Sequence, residues 1–501
     1  MIRRRGRKPF VAAVLAPLFV ATAAALPGCQ GEYRADAKRV AQLYSSGQFA
    51  LAADDADAVA IGKRRDEQNR LIYRLEAARA AQADQRWPES EAWFAAADEL
   101  VRPYLDSEAE AKVTEAFATT LVNQTTSIYR ATPNERIMLS TLQSLSSMAE
   151  RRWDDARVQL RRAQEWQDDA KTRYRKAIDA ARRDTDAAQS REGIDASSMI
   201  GGAAFATEAS LAPGLLAGLK GYGDYANPFA YWLRGTFLSH GPAMTWPDRA
   251  NGRNDLAQAA AMLEGDARVA IEHQIAELDA ASAAGAMPAT WFVVQAAGMA
   301  PHKAEWKITL PLPINDTLVL VTAAYPYIES TGQPVAPVLA GPVAEEPGSA
   351  RPAHTYADFD RIVSSEFDEV KGIIYAQETL SASVKSIASY AMQQSANNDT
   401  SGFLALAAAL YQISTNAADL RSWRTLPRTL NVAAVPTPPD GRIQLRRADG
   451  SILRELEVSP TSSGLVLVTM PADGVPASVS TIPFDASPAI EVSTPAAATE
   501  T

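Results

Sequence analysis

Three stretches in the first third of the chain repeat one spacing, and that repetition limits the fold more than any other feature of its 501 residues. They read SSGQFALAADDADAVA (45–60), ADQRWPESEAWFAAADEL (83–100) and AERRWDDARVQLRRAQE (149–165). Each places a large ring and then a small residue three positions on: Phe49 with Ala52, Trp87 with Ser90, Trp153 with Ala156. Phe94 and Ala97 continue the helical spacing in the second copy, and Ala163 closes the third. A three-residue step returns to the same helix face, so the ring and the small residue point together. The ring fills the gap where two antiparallel helices meet at a turn, and the small residue lets their axes approach.

The rings lie 38 and 66 positions apart, near one and two periods of the tetratricopeptide repeat, which runs at about 34. A fourth copy reads as split, with YWLRGTF (231–237) and RNDLAQAAAMLEG (253–265) separated by an inserted loop. An ordinary bundle with alanine-rich contacts is the alternative. Near residue 285 the pattern changes to strands: TWFVVQAA (290–297), EWKITLPLP (305–313) and DTLVLVTAAYPYI (316–328) are rich in β-branched and aromatic residues. A Pro-rich stretch over 332–351 reads as an exposed loop. Helices follow over 356–397, with a break near Gly372, and over 402–416. Strands return in RIQLRRADGSILRELEV (442–458), where Asp449-Gly450 supplies a tight turn, and in GLVLVTM (464–470). The expected fold is therefore multidomain: an all-α tetratricopeptide-like domain over 35–283, an α+β domain with a mostly antiparallel sheet over 285–475, and a disordered tail over 476–501.

The amino terminus carries Arg3, Arg4, Arg5, Arg7 and Lys8, then an almost uncharged run over 10–26. This is a signal-peptide layout, too short for a comfortable bilayer span of about 20 apolar residues. It ends at Leu26-Pro27-Gly28-Cys29, which resembles the lipobox of bacterial lipoproteins, with Pro27 an unusual third element. A plain secretory signal, or a cytosolic protein with an apolar start, are the alternatives. The resemblance implies cleavage after residue 28, acylation of Cys29, and a short linker over 29–34. Gln30 in place of Asp implies the outer membrane, facing the periplasm, over the inner one. Cys29 is the only cysteine, so an acylated chain has no internal disulfide and no thiol nucleophile. Loss of residues 1–28 removes five positive charges and moves the formal charge from −10 to −15, which argues against nucleic acid. The apolar stretch over 203–219 is interrupted by Glu208 and Pro213-Gly214, so it reads as packed or irregular chain.

Four segments, IYRATPNERIMLSTLQSLSSMAERRWDDARVQLRRAQ (128–164), YANPFAYWLRGTF (225–237), FVVQAAGMAPHKAEWKITLPLP (292–313) and ADLRSWRTLP (418–427), occur in one order. In this the chain resembles a family of bacterial lipoproteins of unknown function with tetratricopeptide-like helices followed by a mixed α/β region. The resemblance covers most of residues 40–440 and departs from the family at 238–252, before Tyr222 and in the tail. It implies an association with activators of peptidoglycan synthases, and it carries over no catalytic residue.

Read for chemistry, GYGDYA (221–226) fits G-x-G-x-x-A but runs into Asn227-Pro228, so it reads as an entry to a helix with Asn227 as cap and Pro228 at the first position. His273 and Glu277 share a predicted helix face without a third ligand, so no metal site is expected. The acid pairs Asp54/Asp55, Asp154/Asp155 and Asp168/Asp169 diverge on helices and read as solubilising charge. The sequence has no G-x-S-x-G elbow, S-x-x-K pair or P-loop, and no cofactor is expected. The candidate interaction cluster is DLRSWR, in which Asp419, Arg421, Trp423 and Arg424 offer a guanidinium beside an indole. Its alternative is an internal clamp. MAPHKAEW (299–306) places His302 and Lys303 at an exposed turn. Two functions follow: a lipid-anchored, non-enzymatic scaffold that binds proteins of cell-wall synthesis or envelope assembly, or an envelope hydrolase with a pocket near Glu305, Glu366 or Arg421.

Overall fold

The computed structural model describes residues 28–105, 128–210, 215–223, 225–314, 317–343, 350–395 and 418–485. Its first part consists of three helical hairpins: α1 (Gly28–Ser45) with α2 (Phe49–Gly62), α3 (Arg70–Ala83) with α4 (Trp87–Val101), and α5 (Pro133–Ala149) with α6 (Trp153–Asp169). All three turns have the same geometry. The second residue before each ring is left-handed: Gly47 at φ 73°, Gln85 at 63° and Arg151 at 59°. The next N–H then reaches back five residues, from Gln48 to Leu43 O, Arg86 to Ala81 O and Arg152 to Ser147 O, at 3.1, 2.9 and 2.8 Å. This satisfies carbonyls that the ending helix leaves open, and outside glycine it requires a conformation costing about 1–2 kcal/mol. Each following helix begins on the ring itself.

Ala52, Ser90 and Ala156 are fully buried, as are Phe94 and Ala97, with Ala163 close behind. Ser90 Oγ also donates to Ala78 O at 2.9 Å. Phe49 is buried, whereas Trp87 and Trp153 are half-buried. Trp153 lies between Phe237 and Phe484, at centroid distances of 6.4 and 6.2 Å. Trp153→Ala is therefore expected to cost about 2–3 kcal/mol, less than the roughly 3–5 of a fully buried aromatic. An unchanged urea midpoint would show that the third turn does not depend on its ring.

The α6 helix passes through a π-turn (Ala170–Tyr174) into α7 (Arg175–Glu192), followed by α8 (Ala196–Ile200) and α9 (Ala203–Ala209). The expected split copy is instead a fourth close pair, α10 (Pro228–His240) and α11 (Trp246–Met262). Asn227 caps α10 by accepting from Phe229 N and Ala230 N, and a Thr245/Asp248 capping box starts α11. No long loop separates them, because the cap lies just before Trp246 and helix fills most of 238–252. Gly235 and Gly252 let the axes meet: a Cβ on either would stand 2.8 or 2.7 Å from the other's carbonyl oxygen. The last helix before the strands is α12 (Gly265–Ala284).

β1 (Thr290–Ala297) is buried along its whole length. It lies in a five-stranded sheet of order β11-β10-β1-β7-β6, antiparallel except between β1 and β10. The partners are β6 (His354–Asp358), β7 (Thr429–Pro436), β10 (Gly464–Met470) and β11 (Ser478–Pro483). β2 (His302–Ile314) and β3 (Thr317–Glu329) form a long hairpin. β4 (Leu339–Pro342), β5 (Arg351–Pro352), β8 (Arg442–Arg446) and β9 (Ile452–Glu457) form a third sheet, with Gly450 at φ 85° in the β8–β9 turn. Helix α13 (Phe359–Ser395) runs unbroken through Gly372 along β3, where Tyr375 Oη donates to Pro326 O at 2.9 Å.

Two expectations need correction. The Pro-rich stretch contains β4 and the start of β5, and Val335, Val338 and Ala340 are buried; Pro334 and Pro337 precede β4 and Pro342 ends it, outside the strand interior where a missing donor would cost a ladder bond. The expected helix over 402–416 lies outside the described residues. The tail is ordered as far as residue 485, since β11 pairs with β10 and Phe484 is buried; residues 486–501 lie outside the described ones. This last strand runs along all three hairpin turns. Gly47 abuts Pro476, Gln85 Nε2 donates to Ser478 Oγ and Val479 O at 3.2 and 3.3 Å, and Arg151 pairs with Asp485 at 3.3 Å.

One apolar core crosses residue 285, so the change in composition there marks a change of secondary structure. Trp232 packs on Phe292 at 5.9 Å and on Tyr356 at 5.4 Å, and Phe94 packs on Trp423 at 6.2 Å. The expected linker over 29–34 is the first part of α1, and its Tyr33 already belongs to this core.

Candidate functional site

Residues 418–426 cross the first helix of each of the three hairpins as an irregular strap. Carboxylates from the second and third of those helices hold its backbone. Glu76 accepts from Arg424 N at 2.6 Å and from the N–H and hydroxyl of Thr425 at 3.1 and 2.6 Å. Glu135 accepts from Trp423 N at 3.2 Å and from the Tyr129 hydroxyl at 2.7 Å. On β2, Glu305 accepts from Ala418 N at 3.0 Å and pairs with Arg34 at 3.3 Å. An irregular segment inside a fold needs such acceptors because no neighbouring strand satisfies its donors.

The candidate cluster is turned inward. Asp419 and Arg421 are both buried and pair at 2.8 Å. Burial alone would raise the Asp419 carboxyl, yet the Arg421 guanidinium and its hydrogen bonds hold it below the ordinary value. Arg421 Nη1 also donates to Gln68 O at 3.1 Å, and the guanidinium lies 5.5 Å from the centre of the Tyr129 ring. Trp423 is 2% exposed, with Nε1 donating to Thr425 Oγ1 at 3.1 Å. Arg424 is half-buried, and its Nε has no hydrogen-bond partner among the described residues. The indole and the guanidinium of Arg421 serve the interior, so the clamp, not a docking face, is what these residues build.

A cavity of about 90 Å³ opens beside the strap, lined by Tyr129, Tyr174, Lys303, Glu366, Asp419 and Arg421 among others. Burial pushes the Glu366 carboxyl up to about 7, although it accepts from Asn134 N at 3.2 Å. Ligand pockets run to about 300–1,000 Å³, several times this volume. Arg421 and Glu366 thus share a cavity, while Glu305 is bound to Arg34 and the strap.

The remaining candidates are separate. His302 is half-buried at the start of β2, where burial pushes it down to about 4, so it is neutral at pH 7. Lys303 N donates to Ser422 Oγ at 3.0 Å, so this stretch belongs to the strand and not to an exposed turn. His273 and Glu277 are exposed on α12, and no group of three His, Cys, Asp or Glu gathers among the described residues. Asp54 and Asp55 diverge to Arg86 and Arg39. Asp169 departs from its expected role: it is buried against Arg136 at 3.1 Å. In GYGDYA, Tyr222 lies beneath Arg361 and Tyr225 donates to Glu369. Glu76 and Glu135 were not anticipated. Their signal was faint: Glu76 is an acid within RLEAARAAQ, a stretch otherwise dominated by alanine and core positions. In comparison with known proteins, the chain matches no family model, no curated protein and no solved structure.

Proposed function

We propose that this chain is a lipid-anchored, non-enzymatic scaffold of the bacterial cell envelope, held in the outer membrane through acyl chains on Cys29 and binding protein partners through tetratricopeptide-like helical repeats. The observation that carries the reading is the threefold recurrence of one turn, with the ring at the helix start and a fully buried small residue three positions on. Stacked units of this kind present extended helical surfaces suited to proteins. The lipobox resemblance at Leu26-Pro27-Gly28-Cys29 supports the anchor. No helix among the described residues is long and apolar enough to cross a membrane. The family resemblance points to partners in peptidoglycan synthesis or outer-membrane assembly. Because the strap covers the first helices, the outer faces of the hairpins are the surfaces left for those partners.

The hydrolase reading draws on the cavity and the raised carboxyl of Glu366. A cavity of about 90 Å³ is small beside ligand pockets of about 300–1,000 Å³, and Asp419 and Arg421 are spent on each other, which favours the scaffold. Crosslinking and mild-detergent purification from native membranes tests the choice. A stoichiometric protein partner is expected; a clean monomer carrying a glycan would overturn the proposal. Cys29→Ala is expected to move the protein out of the salt-washed membrane fraction or to leave it uncleaved, read by flotation and by intact mass.

A further inference from the structure

We infer that the body of the protein rests directly on the lipid surface that carries its anchor, with the end formed by the start of α1, the start of β2 and the strap turned toward the headgroups. The inference rests on acylation of Cys29 and concerns what that acylation does to the folded chain. Only four peptide steps separate Cys29 from Tyr33, and Tyr33 is already core: it is 4% exposed and its ring packs on Tyr73 at 5.8 Å. Its hydroxyl donates to Ser422 O and accepts from Ser422 N, each at 3.3 Å. Arg34 then bridges to Glu305 and to Ala418 O, both at 3.3 Å. The chain is therefore fixed to the strap and to β2 from its fifth acylated-chain residue onward.

Length decides what this allows. Four residues reach about 14 Å fully extended and about 6 Å as helix, and α1 is helical from Gly28. The acyl chains end at the hydrocarbon boundary, and the headgroup layer above it is roughly 5–7 Å thick. Even an extended connection leaves the first core residue within about 8 Å of the membrane surface, which is less than the width of one helix with its side chains. The body has no room to stand off or to tumble freely. From Cys29 the α1 helix runs about 25 Å to Ser45 and leads from the anchor to the edge where the three turns meet β11. Partners near the anchor compete with lipid, whereas the turn edge is farther from it.

The test uses the acylated full chain in vesicles of phosphatidylethanolamine and phosphatidylglycerol with a headgroup-attached quencher. Acylation consumes the only native thiol, so Ala35→Cys and Gln48→Cys, both at exposed positions, each carry a single fluorophore, with about 15 Å of α1 between Ala35 and the helix end at Ser45. The Ala35→Cys probe is expected to be quenched at least threefold more than the Gln48→Cys probe. A twenty-residue Gly-Ser insertion between Gly31 and Glu32 is expected to abolish that difference while the protein still floats with the vesicles. Equal quenching of the two probes in a protein that floats would overturn the inference and leave the anchor standing. Failure to float would overturn the anchor itself, and this inference with it.

Discussion

Trp423→Ala is expected to lower the unfolding free energy by about 4 kcal/mol, the largest effect of any single substitution considered for this chain. The indole is 2% exposed, packs edge-on against Phe94 at 6.2 Å, and donates its N–H to Thr425 Oγ1 at 3.1 Å. Truncation removes that apolar area from the core and leaves a cavity between α4 and the strap, which rigid helices on one side and a strap held by carboxylates on the other cannot close. The Thr425 hydroxyl keeps its bond to Glu76, so the loss is mainly packing. The check is the urea midpoint, with the slope compared to wild type to confirm that the denatured state is unchanged. A shift below about 1 kcal/mol would mean that the strap is not held by its tryptophan, and would reopen the cluster as a docking surface.

The second large effect is expected at Glu76→Ala, at about 3 kcal/mol. Three donors, Arg424 N, Thr425 N and the Thr425 hydroxyl, lose their acceptor together. A buried donor left unpaired costs roughly 1–3 kcal/mol, and release of the Glu76 desolvation penalty offsets part of the sum. The pH dependence gives an independent reading. Burial pushes the Glu76 carboxyl up to about 7, against the hydrogen bonds that favour its charged form. The folded chain thus holds this proton more tightly than the unfolded one, so its contribution to stability is present below the ordinary carboxyl range and is lost as pH rises from about 4.5 to about 7. Glu366 and Glu378 are shifted the same way, each to about 7, with burial the leading cause. The wild-type midpoint should fall as pH is raised from 5 to 7.5. The fall is partly offset below about 6.5 by His240 and His302, which burial pushes down to about 4 and which therefore stabilise the fold as they lose their unfolded-state protons. Glu76→Gln should flatten part of that fall, because the two other carboxyls remain. An unchanged slope in the Gln variant would place the titration elsewhere.

The hairpin geometry was legible because it is written locally. A ring and a small residue three positions later report on contacts within one turn of helix, where sequence spacing and spatial proximity coincide. β1 and β10 were legible for the same reason: 290–297 and 464–470 are bounded runs of β-branched and aromatic residues, and the structure gives them those limits. β11 was not. Its six residues, SVSTIP, lie in a Ser-, Pro- and Ala-rich setting and become a strand only because β10 supplies its hydrogen bonds and three hairpin turns cover its length. The fourth helical pair was less legible: the expected inserted loop over 238–252 holds Pro247 in the first turn of α11 and Gly252 at a helix contact.

The sequence by itself therefore determined the helical hairpins, the principal strands and the place of the single cysteine, all of which depend on neighbours within about one turn or one strand. Only the tertiary structure decided what the charged residues do. Glu76 meets Thr425 across 349 positions and Glu135 meets Trp423 across 288, and Asp169 is buried beside Arg136 while its neighbour Asp168 faces solvent. A carboxylate in a helix has the same local signature whether water or a distant backbone N–H satisfies it. Its role is set by which segment the fold brings against it, and that is a property of the closed chain.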